Sequence, residues 1–256
     1  MLIGPLDNEL DRTDANRDAV DRALGIFREL GDLRNVAAAL SAQAFVAWRS
    51  GDFERGRQLY DECVEIARTI GVPYMMVVAQ LHRAELEFAA RNVPKAVAIG
   101  REALAQARET HKQALILHAL LNVAAYLLET DASREATAPA REALDACALE
   151  ESVFGWRAIQ LLGVLAAEDG HREQGRRFLA ASSAGFRALG YHPSETEKRV
   201  QDRLVEAAGN GGGMVSPVPY ATIAREAQTL MPTGFTKMDR EGLQKPPLLE
   251  PELRET

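Results

Sequence analysis

The chain has 256 residues, of which 46% are hydrophobic and 26% charged; this balance is typical of a globular protein and excludes a wholly disordered one. No apolar run reaches the roughly 18–20 residues that a membrane span requires. The formal charge of −7 argues against nucleic acid as a direct partner. Cys63 and Cys147 are too few for a disulfide framework, and the first residues do not form a basic, apolar leader, so a cytoplasmic protein is expected.

In chain order, we divide the sequence into an N-terminal segment (1–13), a helical-repeat domain (14–208) and a tail (209–256). The first predicted helix, Asp14–Leu30, corresponds to Phe53–Ile70 in the next unit. Its upstream partner helix is missing because few residues precede it. Two interpretations stay open: the chain begins inside a longer array, or Asp7–Arg12 extends the helix as a polar cap.

A repeat follows this first helix. Four segments with helical periodicity end in turn signals spaced by 40, 40 and 39 residues: Ala37–Gly51, Val77–Arg91, Leu117–Asp131 and Trp156–Gly170. Each segment precedes a second helical pattern. Small residues recur at one register in the first helices (Ala44, Ala84, Ala124 and Gly163) and in the second helices (Gly56, Ala96, Ala136 and Gly175). This pattern predicts closely packed helical hairpins with turns at Gly51, Asn92, Asp131 and Gly170.

The second helices carry a recurring motif, Glu-Ala-Leu followed by small and basic residues, at Arg101–Arg108 and Arg141–Ala146. The units resemble tetratricopeptide repeats, in a form of about 40 rather than 34 residues. The second unit lacks the turn glycine, and the large aromatic of the second helix survives only as Tyr60. The resemblance implies an all-α fold, a right-handed α-solenoid of about four hairpins with capping helices.

The end of the repeat domain is marked by Pro193–Ala208, an amphipathic helix in which Ser194 and Glu197 form a capping box. Residues 209–256 begin with Gly-Asn-Gly-Gly-Gly and hold six of the eleven prolines. We expect a flexible linker and tail that contains one short helix, Ala221–Leu230, and contributes little to the fold.

The stretches Arg176–Ala181, Phe186–Gly190 and Pro193–Glu195 are similar to the closing part of the helical-repeat arms of large bacterial LuxR-type and winged-helix ATPase transcriptional regulators. In those regulators the arm senses signals or binds partners. The resemblance implies a non-catalytic protein-interaction or sensor module of a bacterial signalling or transcription-regulatory system. The expected partner is a protein, such as a separate ATPase module, a DNA-binding module or another regulator, and neither nucleic acid nor a membrane.

No motif for chemistry is present. The sequence has no P-loop, its five histidines lack the spacing of metal ligands, and no serine is placed with a His/Asp pair. We therefore expect no enzyme activity, no catalytic residue, no metal and no cofactor.

A binding surface is predicted instead on the first helices, which line the concave face in such repeats. Its predicted members are Phe45, Trp48, Arg49, Leu81, Glu85, Phe88, His118, Asn122, Arg157 and Gln160. Aromatic residues and arginine are common anchors of protein interfaces. The alternative for Phe45, Trp48 and Phe88 is packing between helices. A second functional hypothesis is a small-ligand sensor with its pocket near Trp48, Phe88 and His118.

Overall fold

The computed structural model describes residues 13–147, 150–209 and 218–230, with side chains from residue 18 onward. Residues 1–12, 148–149, 210–217 and 231–256, and with them the cap expected at Asp7–Arg12, lie outside the described residues. The described residues form eleven α-helices and no strand: α1 (Thr13–Glu29), α2 (Leu33–Arg49), α3 (Phe53–Thr69), α4 (Pro73–Ala89), α5 (Val93–Glu109), α6 (Gln113–Leu128), α7 (Thr137–Cys147), α8 (Val153–Glu168), α9 (Arg172–Ala188), α10 (Glu195–Ala208) and α11 (Tyr220–Thr229). The all-α prediction is confirmed for this part of the chain.

The helices recur every 20 residues, which gives two helices for each 40-residue unit predicted from the sequence. Helices α1 to α6 begin 20 residues apart, a short 3-10 helix at Ser133–Ala136 keeps the step, and α8 begins 20 residues later. The predicted breaks at Gly51, Asn92, Asp131 and Gly170 are confirmed. The step is 20 because connections within a hairpin and between hairpins are alike.

Most of these connections are one kind of helix end. The second residue after the helix takes a positive φ at Gly31, Gly51, Gly71, Arg91, His111, Gly170 and Gly190. At all of these ends except His111, the next backbone N–H donates to a carbonyl in the last helical turn, as from Asp32 to Phe27 at 2.9 Å. This is the Schellman motif, which satisfies the last carbonyls of the helix.

Small residues allow the paired helices to cross closely, as the repeat predicted. A Cβ on Gly56 would lie 2.6 Å from Leu86 Cδ1 and 3.4 Å from the Ala44 carbonyl oxygen. The same contact recurs in the last hairpin, where a Cβ on Gly175 would lie 3.3 Å from the Gly163 carbonyl oxygen. Ala44 is fully buried, and larger side chains at these positions would separate the two backbones.

Consecutive helices pack on one another along the array, and the two last helices depart from this order. Helix α10 packs on α8 and α9 and also reaches α4 and α6. Helix α11 packs on α7, α8 and α9. Among the described residues no helix is both long enough and apolar enough to cross a membrane.

The short helix expected at Ala221–Leu230 is present as α11, but the expectation that this part of the tail contributes little to the fold is wrong. In α11, Tyr220, Ile223, Ala224 and Ala227 are buried. The Tyr220 hydroxyl donates to the Cys147 carbonyl at 2.8 Å, and its ring packs edge to face on Trp156. The apolar spacing of α11 is that of an amphipathic helix, so it docks despite the Pro/Gly-rich composition around it.

Candidate functional site

The ten residues predicted to line the groove divide into two groups by exposure. On α2, Phe45 and Trp48 are half-buried, Arg49 is exposed, and the two rings pack edge to face with centroids 5.5 Å apart. The other seven are buried or nearly so. They are Leu81, Glu85 and Phe88 on α4, His118 and Asn122 on α6, and Arg157 and Gln160 on α8.

Four of the seven lie in one hydrogen-bonded network. The Glu85 carboxylate accepts from Asn122 Nδ2 at 3.0 Å and lies 3.3 Å from His118 Nε2. Asn122 Oδ1 in turn accepts from Arg157 Nη2 at 2.7 Å. Arg157 Nε donates to Glu197 on α10 at 2.7 Å. The network therefore joins α4, α6, α8 and α10 through polar groups.

Glu197 is the member that the sequence analysis missed as part of this site. Its carboxylate accepts from the Ser194 backbone N–H at 2.6 Å and from the Tyr191 hydroxyl at 3.1 Å, in addition to Arg157. The capping box identified Glu197 only as a local helix-start residue. Three donors around one carboxylate satisfy its lone pairs, which a buried charge requires.

The charges of the network are fixed by its contacts. Burial alone would raise the pKa of Glu85, but the hydrogen bond and charge of His118, the nearby His82 and the Asn122 amide lower this pKa to about 2. Burial alone would lower the pKa of Arg157, and the carboxylate of Glu197 raises it instead. Glu85 and Arg157 are therefore both ionised at neutral pH. Burial lowers the pKa of His82, which favours its neutral form.

A second contact from α10 covers Phe88. The Arg199 guanidinium lies 3.8 Å from the centre of the Phe88 ring and donates to the Phe88 carbonyl at 2.9 Å. The same guanidinium pairs with Glu129, at the end of α6. A cation at two helix C-termini is favoured by their partial negative charge. Helix α10 thus contacts Phe88 and Arg157 on the face that was predicted to be open, whereas Leu81 is buried among residues of α4, α5 and α6.

This occupancy corrects the predicted geometry of the groove. Phe88 is 1% exposed and Asn122 and Gln160 are no more exposed, so a partner has no access to them in this structure. The physical reason is that α10 supplies ionic partners to the face of α4, α6 and α8 that the sequence analysis left open. The α2 face with Phe45, Trp48 and Arg49 remains accessible. The predicted role of these residues in binding stays a prediction.

The predicted small-ligand pocket near Trp48, Phe88 and His118 is not brought together as an open site, because Phe88 and His118 are buried. In the part of the chain that the structure describes, no group of three or more His, Cys, Asp or Glu side chains is arranged to hold a metal ion. The buried polar groups instead bind one another, so the network joins helices.

No protein-family model matches the chain, and no curated protein matches it. The fold is similar to the crystal structure of BtubC (BKLC) from P. vanneervenii, with a TM-score of 0.59 over 96% of this chain and 99% of that chain. The two sequences are 18% identical, so the likeness concerns the fold alone. Together with the regular helix step, it supports a helical-repeat fold for this chain.

Proposed function

We propose that this protein is a non-catalytic interaction module of the tetratricopeptide type, a right-handed solenoid of about four hairpins. Its partner is another protein of a bacterial signalling or transcription-regulatory system in the cytoplasm. The binding surface is formed by Phe45, Trp48 and Arg49 on α2, and we call it the α2 face. Four other predicted groove residues, Glu85, His118, Asn122 and Arg157, lie in the network that joins α4, α6, α8 and α10.

One observation carries this proposal. Trp48 lies 40 residues before Phe88, so the two aromatics occupy equivalent positions on successive first helices. Phe88 is covered by Arg199 of α10, whereas Trp48 is half-buried with Phe45 beside it. Helix α10 therefore illustrates the kind of ligand that this face accepts, a helix with a basic side chain over an aromatic ring. Large aromatics that stay accessible are frequent anchors of protein interfaces.

The proposal is tested with the full chain as bait in its bacterial host. Trp48→Ala should weaken partner capture by about 2 kcal/mol or more in binding free energy, with helicity unchanged. Leu189→Ala is the matched control, because Leu189 is an exposed apolar residue (44% exposed) on the last connection before α10. If Trp48 is a core residue instead, the change should cost roughly 3–5 kcal/mol of stability and produce no separate binding defect. That result would show that Trp48 on the α2 face is not part of the partner-binding surface.

A second candidate is a small-ligand sensor on the same scaffold. Its support is an open pocket between the first three helices, away from the α2 face. Ligand binding there would be detected without any protein partner, so direct titration with small molecules separates the two candidates.

A further inference from the structure

A pocket of about 250 Å³ opens between α1, α2 and α3. Its apolar wall includes Val20, Ala47 and Leu59, and its polar groups include Asp21, Gln43 and Arg55. Helix α2 supplies positions 43, 46, 47 and 50, which recur at helical spacing and form one face. Phe45 and Trp48 lie on the opposite face of the same helix. The pocket is therefore separate from the α2 face.

The pocket exists because this unit has smaller side chains than the next. Forty residues on, Tyr60 stands in place of Val20, and Glu87 in place of Ala47. Both larger side chains are fully buried, and the Glu87 carboxylate pairs with Arg57 at 3.0 Å and Lys95 at 2.7 Å. The equivalent position in the next unit is thus filled by the chain itself. In the first unit the same position is left open to a ligand.

The polar groups differ from those of the next unit in a way that leaves bonding capacity free. At the equivalent positions of the next unit, Asp61 pairs with Arg83 at 2.7 Å. Among the residues that the structure describes, the exposed Asp21 carboxylate accepts one hydrogen bond, from Gln43 Nε2 at 2.5 Å. Gln43 Oε1 is buried and accepts no hydrogen bond from the described residues. Asp21 and Gln43 together offer acceptors that a cationic group would satisfy.

The opposite charge is available at the rim. Arg55 on α3 is exposed and lines the same pocket together with Asp52, whose carboxylate accepts from the Arg55 backbone N–H at 3.0 Å. A guanidinium is the side chain best suited to bind a carboxylate with two parallel hydrogen bonds. Two carboxylates, one guanidinium and an apolar wall therefore line one small cavity.

We propose that this pocket binds a free α-amino acid with an apolar side chain. Its ammonium group donates to Asp21 and Gln43 Oε1, its carboxylate pairs with Arg55, and its side chain packs against Val20, Ala47 and Leu59. Ligand sites of this kind combine apolar walls with a few convergent polar groups. The proposal stands apart from the α2 face, because it needs neither Trp48 nor a protein partner.

The test is calorimetric titration of the full chain with L-leucine and L-phenylalanine. L-leucine methyl ester lacks the carboxylate charge, and N-acetyl-L-leucine lacks the ammonium charge. We expect the parent amino acids to bind and each derivative to bind at least about tenfold more weakly. Asp21→Asn and Arg55→Gln should each lower the affinity for the parent amino acid by a similar factor.

Two further variants complete the design. Ala47→Leu fills the cavity and should abolish binding, with helicity checked by circular dichroism. Asp61→Asn, at the equivalent position of the filled unit, should leave affinity unchanged. The proposal is overturned if neither amino acid binds at concentrations up to about 10 mM. It is also overturned if the ester and the acetylated form bind as well as the parent, or if Asp61→Asn weakens binding as much as Asp21→Asn.

Discussion

Arg157 and Glu197 form an ion pair at 2.7 Å in which both side chains are only 7% exposed. The pair joins α8 to α10, and each partner has further hydrogen bonds, from Arg157 to Asn122 and to Glu197 from Tyr191. A buried pair whose remaining groups are satisfied holds its two helices in one register. The position of α10 over the first helices therefore depends on this contact.

Arg157→Met should destabilise the protein by about 3–5 kcal/mol, because Glu197 would remain buried without its cation. The double variant Arg157→Met/Glu197→Leu should be less destabilised than the single one, since both charges are then removed. Urea unfolding followed by circular dichroism measures both. Arg28→Met is the control: its pair with Glu62 is exposed and should contribute no more than about 1 kcal/mol. Equal losses of stability for Arg157→Met and Arg28→Met would contradict the stabilising role assigned to the buried Arg157–Glu197 pair.

Acid should destabilise the protein in part through Glu85. Its pKa is about 2 in the folded protein against a usual 4.5, so its stabilising effect is complete above the unfolded value. That effect is lost as the pH falls from about 4.5 towards 2. Glu85→Gln should therefore flatten the dependence of unfolding free energy on pH by roughly 2 kcal/mol between about pH 6 and pH 3.

The matched control for this titration is Glu54→Gln, whose side chain is 71% exposed. It should leave the slope of unfolding free energy against pH close to that of the parent protein. Urea unfolding at several pH values measures both variants. A Glu85→Gln slope equal to the parent slope would show that Glu85 is not ionised preferentially in the folded state.

The positive backbone angle at His111 predicts a stabilising substitution. His111 has a φ of 54°, in the left-handed region that costs a non-glycine residue about 1–2 kcal/mol. His111→Gly removes this cost but loosens the unfolded chain, so a net gain of up to about 1 kcal/mol is expected. Gly71→Ala, at the equivalent position with φ of 66° and open space around it, should lose a similar amount. Chemical denaturation midpoints measure both variants. A lower midpoint for His111→Gly as well as for Gly71→Ala would contradict the expected stabilisation by glycine at position 111.

Helix α11 should contribute measurably to stability. Tyr220→Ala is expected to cost roughly 3–5 kcal/mol, because the ring is buried against Trp156. Tyr220→Phe removes only the hydrogen bond to the Cys147 carbonyl and should cost about 1 kcal/mol. Arg225→Ala, at an exposed position of α11, is the control. Truncation after Gly209 should lower the thermal midpoint by several degrees. An unchanged midpoint would show that the tail contributes little to the fold, as the sequence analysis expected.

Two glycines indicate how specifically α11 is accommodated. A Cβ on Gly155 would lie 2.0 Å from the Tyr220 hydroxyl oxygen, and a Cβ on Gly185 would lie 2.1 Å from Trp156 Cε2. Gly155→Ala should therefore displace α11 without changing any residue of α11 itself. Gly155→Ala should lose about as much stability as Tyr220→Ala. The double variant Gly155→Ala/Tyr220→Ala should lose little more than either single variant, because both changes act on one contact.

The sequence predicted the helices and their breaks well, because helical periodicity and turn residues are local signals. The turn at Arg91 lacks the glycine of the turns at Gly51 and Gly170, yet the 40-residue period placed a helix end there. The sequence analysis also selected Glu85 and Asn122 for the site, because they lie at groove-facing positions of the first helices. It missed Arg199, whose partner Phe88 is 111 residues away. Contacts at such separations depend on how successive helices cross, and no short motif encodes these angles.

The same separation bears on how the chain folds. Neighbouring helices meet within about one repeat, and such local contacts form rapidly. The bond from Arg199 to Phe88 instead closes a loop of more than a hundred residues, which carries an additional entropic cost. We therefore expect the hairpins to form first and α10 to dock in a later kinetic phase. In stopped-flow experiments, Arg199→Ala should slow only the later refolding phase if this contact forms in the transition state for docking. If the contact forms after that transition state, Arg199→Ala should leave the refolding rates unchanged and accelerate unfolding.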